Sequence, residues 1–298
     1  MKTISFFSYK GGSGRTSLAY NNIPLIAQNL HASPTHPLVV MDMDIDSAGL
    51  SFLYRNKIKN CRLFVQNIYS NIPGILDDRT TIPEISDHPF FKALIPIGDL
   101  YGMDEKSILF MPANTENSTN IELDTYNLKS NPLKLIIENI YEEYECCGVI
   151  LDCPTGKQMT ATASLKVSDI IVLVMRITAQ FRNGTYSYLK WFDSRYSDKR
   201  LIIAPNAVPN DEITLGNLPY DYEAVKNNIQ ETIADILSQH GHTNTADFTL
   251  LENGRFGVPE VVRFKFKEDI LLSLQSRRPD EEKALQIYRV LSDAICKG

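Results

Sequence analysis

The sequence predicts an α/β fold, a doubly wound and mostly parallel sheet flanked by helices within a single domain. Three observations predict it. Strand-like and helix-like segments alternate along the chain, which is the pattern of βαβ units. The strand-like segments are apolar throughout rather than alternating, as strands covered on both faces must be. The first strand runs through a glycine-rich stretch into the first helix, where a parallel α/β sheet gathers its ligand site.

The elements follow in order. Thr3–Tyr9, TISFFSY, is a short apolar run ending in glycines and reads as a buried strand. Thr16–Leu30 carries Leu18, Ile23, Leu25 and Ile26 at helical spacing, with Pro24 expected to kink or divide the helix. Leu38–Met43 is the second strand. Between Tyr54 and Asn131 Pro, Asp, Asn and Thr recur, and only Ser107–Ala113, SILFMPA, reads clearly as a strand. Pro132–Glu145 is a helix with proline at its start. Gly148–Gly156, Asp169–Ile177 and Arg200–Asn206 are the third, fourth and fifth core strands. Pro279–Ile295 is an amphipathic helix with acids in its first turn. No repeat or linker divides residues 1–298, so one domain is expected.

Composition narrows the function. At 43% hydrophobic and 22% charged, the 298 residues suit a soluble globular protein with a sizeable core. The five cysteines, Cys61, Cys146, Cys147, Cys153 and Cys296, show neither zinc nor redox spacing and read as reduced thiols of a cytoplasmic protein. The start MKTISFFSY is too short and polar for a signal peptide, and no apolar run reaches membrane-spanning length. A net charge of −6 argues against a wholly basic nucleic-acid binder while leaving room for a local basic patch.

The chemistry concentrates in SYKGGSGRTS, Ser8–Ser17. A phosphate-binding loop needs free backbone N–H groups close to its ligand. Glycine allows that approach, and the following helix adds its positive end. Gly11, Gly12 and Gly14 stand between strand and helix as this requires, with Ser13, Arg15 and Ser17 among them. Thr16 offers a hydroxyl suited to Mg²⁺. The general Walker pattern asks for Gly at position 9 and Lys at position 15, where this chain has Tyr9 and Arg15. A lysine appears instead at Lys10.

Two further segments supply carboxylates. MDMDIDSAG places Asp42, Asp44 and Asp46 two residues apart, on one face if the strand persists. Like charges so spaced call for a nearby cation or full solvation. VILDCPTG ends an apolar strand in Asp152, the arrangement that delivers a carboxylate to a metal's water shell. A solvated acidic loop and an ordinary strand-ending aspartate are the alternatives.

KGGSGRTS resembles the deviant Walker A motif of the ParA/MinD family, P-loop ATPases of the SIMIBI class, whose pattern is Lys-Gly-Gly-x-Gly-Lys-Thr/Ser. The resemblance spans Lys2 to about Ile295. It implies ATP and Mg²⁺ as ligands, with Gly11, Gly12, Ser13, Gly14, Arg15, Thr16 and Ser17 around the phosphates. It implies that Lys10 reaches the partner's nucleotide across a homodimer. Asp42 would lie near the metal with Thr16 and Asp152, and Asp44 would orient or activate the attacking water. Asp46 falls where the family often has glutamine. Pro154–Gly156 would sense the γ-phosphate, while Asn206 and Pro259 would lie near the base. Arg15 departs from the pattern, replacing the loop lysine by a larger, planar, forked cation that still binds phosphate. Hydrolysis is accordingly expected to be slow or absent. Residues 55–106 match nothing in the family and read as an insertion carrying partner specificity.

The implied output is a nucleotide-dependent switch in DNA segregation, positioning or control of a partner effector. Two alternatives stay open: a non-hydrolysing nucleotide sensor or scaffold, and an ATP-dependent metabolic ligase on the same scaffold. A regulatory protein partner is expected. Arg263, Lys265, Lys267, Arg277 and Arg278 suit non-specific DNA, although Glu268 and Asp269 interrupt them. The ending VLSDAICKG does not read as a membrane-binding helix. The five histidines, including the His240–His242 pair, mark no second catalytic site.

Overall fold

The computed structural model describes residues 2–59, 94–113, 132–176, 178–196, 199–206, 222–239, 248–250 and 279–297. Their strands are β1 (Lys2–Ser8), β2 (Leu38–Asp42), β3 (Ile95–Pro96), β4 (Ile108–Met111), β5 (Gly148–Thr155), β6 (Ile170–Arg176), β7 (Arg200–Asn206) and β8 (Phe248–Leu250). They form one sheet in the order β3-β4-β2-β5-β1-β6-β7-β8. Every pairing is parallel except the short antiparallel edge pair of β3 with β4.

The helices are α1 (Arg15–Asn29), α2 (Gly49–Leu53), α3 (Arg55–Ile58), α4 (Pro132–Tyr144), α5 (Met159–Val167), α6 (Ala179–Tyr196), α7 (Tyr222–Gln239) and α8 (Pro279–Cys296). Each central strand divides its side chains between two apolar layers, because successive residues face opposite sides. Val39, Met41, Val149, Leu151, Ile171 and Leu173 meet α4, α5, α6 and α7 on one face. Ile4, Phe6, Val40, Ile150, Val172 and Ile202 meet α1, α2, α3 and α8 on the other. This two-sided burial is why the strands carry no polar alternation.

Two sequence expectations are corrected. Pro24 does not divide the first helix, since α1 runs unbroken from Arg15 to Asn29. Proline removes one N–H from the ladder, but Ile23, Leu25, Ile26 and Ala27 around it are all buried, and that packing holds the helix together. Likewise β2 stops at Asp42, so Asp44 and Asp46 do not share a strand face with it. The chain turns instead, with the Ala48 amide bonded to the Asp44 carbonyl at 2.7 Å.

The segment after this turn is anchored by aromatic rings. Tyr54, at the junction of α2 and α3, lies 4.7 Å from Phe110 and 5.4 Å from Tyr20, centroid to centroid. Its hydroxyl is hydrogen-bonded to that of Tyr101. The carboxylate-bearing turn is thereby held against the sheet's outer strands.

Candidate nucleotide site

β1 is the sheet's central strand, between β5 and β6, and its C-terminal end opens into the loop of residues 9–14. Gly12 and Gly14 adopt φ of 77° and 82°, the left-handed region that favours glycine. Gly14 caps α1, accepting at its carbonyl from the Leu18 amide at 2.9 Å. A Cβ at Gly14 would stand 2.3 Å from the Asn206 amide nitrogen, so the loop also requires glycine there for space. The first N–H groups of α1 have no partner within the helix, which leaves a row of donors at its positive end. Residues 11–17, with Ser8, Asp44, Asp46, Ser47, Thr155 and Gln158, line a cleft of about 430 Å³. Size and lining suit a polyphosphate group.

β2 and β5 lie side by side with Asp42 opposite Asp152 in register, and both carboxylates are fully buried. Asp42 turns away from the cleft. Its Oδ2 accepts from the Ser51 amide at 2.8 Å and the Ser51 hydroxyl at 2.7 Å, and its Oδ1 from the Asp44 amide at 3.2 Å. Burial, reinforced by Asp152, pushes the Asp42 carboxyl up to about 7 despite the bonds from Ser51.

Asp44 and Asp152 instead converge on Arg15. Its Nε donates to Asp152 Oδ1 at 2.9 Å. Its Nη2 donates to Asp44 Oδ2 at 2.7 Å and to the Thr16 hydroxyl at 3.3 Å. The arginine side chain is only 6% exposed. Burial opposes its charge, but Asp152 and Asp44 outweigh it and hold the proton more tightly than usual. Burial also raises Asp152, against the pull of Arg15.

The remaining expected residues fall as follows. Lys10 is half-buried at the loop's edge, its Nζ 5.6 Å from the Phe181 ring centre, and Arg176 approaches the same ring at 5.8 Å. Asn206 ends β7 and donates from Nδ2 to the Ser13 carbonyl at 2.7 Å, under the loop rather than out toward a base. Asp46 is exposed at the cleft rim. Pro259, the basic residues Arg263, Lys265, Lys267, Arg277 and Arg278, and His240 and His242 lie outside the described residues, as does most of 55–106. Asp42, expected with Thr16 and Asp152 at a metal, lies opposite Asp152 in register, but both of its oxygens are taken by Ser51 and the Asp44 amide. Among the described residues no three acidic, His or Cys side chains converge as a ready metal site. The Thr16, Asp44 and Asp152 oxygens are of the kind Mg²⁺ takes, but as arranged they surround a guanidinium and do not fit the ion.

Sequence reasoning missed Ser51 and Gln158. Ser51 links Asp42 to the Ala113 amide through its hydroxyl, which donates to Asp42 and accepts from Ala113 at 2.8 Å. No motif marks a lone serine nine residues after its carboxylate. Gln158 stands at the N-terminus of α5, and only its place two residues after Gly156 hints at the cleft.

No protein-family profile matches the chain, and no curated protein matches it in sequence. Solved structures match over nearly its whole length. The septum site-determining protein MinD of Pyrococcus horikoshii, complexed with Mg-ADP, is 15% identical with a TM-score of 0.59, over 99% of this chain and 95% of MinD. Apo McdA of Cyanothece is 16% identical with a TM-score of 0.60, over 98% of this chain and 99% of McdA. Cobyrinic acid a,c-diamide synthase of Mycobacterium smegmatis, with ADP and magnesium, is 16% identical with a TM-score of 0.56, over 99% of this chain and 93% of the synthase. At this identity the likeness is one of fold: a mostly parallel P-loop sheet shared with MinD, McdA and a synthase. Among the described residues no helix is long and apolar enough to cross a membrane.

Proposed function

We propose that the chain is an ATP-binding switch of the ParA/MinD kind, forming a nucleotide-dependent homodimer with slow or partner-stimulated hydrolysis. The observation that carries the reading is the cleft at the end of β1. Its left-handed Gly12 and Gly14, the open N-terminus of α1 and the nearby Thr16, Asp44 and Asp152 meet in one place. The loop amides of residues 11–17 take the phosphates. Lys10 leaves Phe181 and crosses to the partner's nucleotide, Asn206 holds the loop backbone from below, and Pro259 serves the base side. Thr16, Asp44 and Asp152 serve the metal side once Arg15 moves aside, and Asp42 supports Asp44 by accepting from its amide. A regulatory protein, or non-specific DNA through Arg263, Lys265, Lys267, Arg277 and Arg278, reads the dimer. MinD, a cell division ATPase, and McdA, which forms a complex with ATP, support this reading through the shared fold.

The test pairs light-scattering mass with single-turnover ATP hydrolysis. ATP is expected to double the mass, and Lys10→Ala to abolish that change while leaving the fold intact. Hydrolysis is expected to be slow, because Asp44 is ion-paired to Arg15 at 2.7 Å. That pair also favours the second reading, a non-hydrolysing sensor, which dimerisation without measurable hydrolysis would establish. A monomer that consumes ATP only with an organic acid would replace both with the ligase reading. A cleft indifferent to saturating ATP would end all three.

A further inference from the structure

We propose that Arg15 is a resident cation that holds the divalent-metal position shut until a phosphate group draws its guanidinium away. The phosphate step rests on the nucleotide-switch reading; the exclusion of metal stands on the geometry alone.

One guanidinium meets three oxygens that a hard cation would take, at 2.7 Å (Asp44), 2.9 Å (Asp152) and 3.3 Å (Thr16). An arginine does not lose its proton in proteins, so it leaves this position only by moving. Its planar fork reaches both carboxylates and the hydroxyl together, which the single ammonium of a lysine cannot match.

Two buried atoms in this cluster are short of partners. Arg15 Nη1 is a donor without an acceptor, and Asp152 Oδ2 has no donor nearer than the neighbouring Thr16 hydroxyl. Unpaired buried polar atoms are costly, so a further acceptor at Nη1 would be favoured. The free Nη1 belongs to a residue lining the cleft, where phosphate oxygens can accept from it in bidentate fashion. Once the guanidinium turns to phosphate, Asp44 and Asp152 are left as buried charges without a counter-ion. That state is strongly unfavourable, and a divalent ion relieves it at the same oxygens. The order of loading is therefore phosphate first and metal second, and free metal alone finds no site.

The experiment follows Mn²⁺ by electron paramagnetic resonance on full-length protein. Nucleotide-free wild type is expected to bind no Mn²⁺ in the range where nucleotide-free Arg15→Ala binds one ion per chain, at least about tenfold tighter. Mn²⁺ is also expected to raise the unfolding temperature of Arg15→Ala and not of wild type. Arg15→Met, which removes the charge and keeps much of the bulk, carries the same comparison if the alanine variant does not fold. A non-hydrolysable ATP analogue is expected to give wild type a bound Mn²⁺. Equal Mn²⁺ affinity in nucleotide-free wild type and variants would overturn the proposal. An analogue that binds wild type without admitting Mn²⁺ would overturn the phosphate step. An analogue that does not bind at all would sink the switch reading, leaving the nucleotide-free comparison to decide the metal exclusion by itself.

Discussion

Gly14 and Asn206 form a lock that can be opened from either side. The amide nitrogen of Asn206 holds the Ser13 carbonyl at 2.7 Å and occupies the space a Cβ at Gly14 would need. Gly14→Ala therefore meets two penalties, a left-handed backbone at φ 82° and a steric clash. The strain alone costs of order 1–3 kcal/mol. Asn206→Ala loses one buried hydrogen bond, about 1 kcal/mol, and removes the clash. The double variant is expected to be more stable than the sum of the single effects, by an interaction energy of roughly 0.5–3 kcal/mol. Urea unfolding of the four proteins checks it, and simple additivity would show that the contact does not shape the loop. The resemblance read Asn206 as a base contact; its hold on the loop backbone is a three-dimensional fact that no spacing of residues in sequence announces.

At the level of elements, β2 and β5 bring Asp42 and Asp152 side by side because both strands run parallel and end together. Asp42 is held up at about 7, first by burial and then by Asp152, well above an ordinary carboxylate. The folded protein keeps this proton where the unfolded chain has released it. Its contribution to stability is therefore complete below about pH 4 and is lost as pH rises to about 7, by up to about 1.4 kcal/mol per unit. Asp42→Asn has nothing to titrate there. Without nucleotide or metal, wild type is expected to lose stability relative to Asp42→Asn across that window, and parallel urea profiles at pH 5, 6 and 7 would refute this. The strands that create the pair were legible in the sequence because they are apolar on both sides, as PLVVMD and VILDCPTG show. The elements left unread are of two kinds. β3 has two residues and β8 three, too few to display a period. α2 and α3 take their place from the Tyr20, Tyr54, Tyr101 and Phe110 cluster, whose contacts are far apart along the chain. The site was legible as a set of residues in the loop and in the two strand-ending aspartates. The pairing of Arg15 with Asp44 was not, because it depends on where β2 stops and the chain turns.

For the whole molecule, the last helix and the first strand meet over α1, the helix that follows the glycine loop. α8 packs on α1 through Tyr288, Leu291 and Ile295, all buried in the same apolar layer as Ile23 and Ile26. Lys2 Nζ donates to the Cys296 carbonyl at 2.6 Å, and Asn29 Nδ2 donates to Ser292 and Asp293 at 3.0 Å each. The last helix thus braces both β1 and α1, the two elements that hold the loop between them. Leu291→Ala is expected to destabilise the entire fold by about 2–5 kcal/mol, since it opens a cavity in a shared core. Fluorescence and circular dichroism should both shift, because a single continuous sheet couples the layers. A ligand that binds only the folded chain recovers about 2.7 kcal/mol at a hundred times its dissociation constant. ATP is therefore expected to raise the urea midpoint of Leu291→Ala and wild type alike. An early, separate loss of helix signal in Leu291→Ala, with the ATP shift intact, would mean that α8 is a detachable cover and that β1 and α1 hold the loop without it.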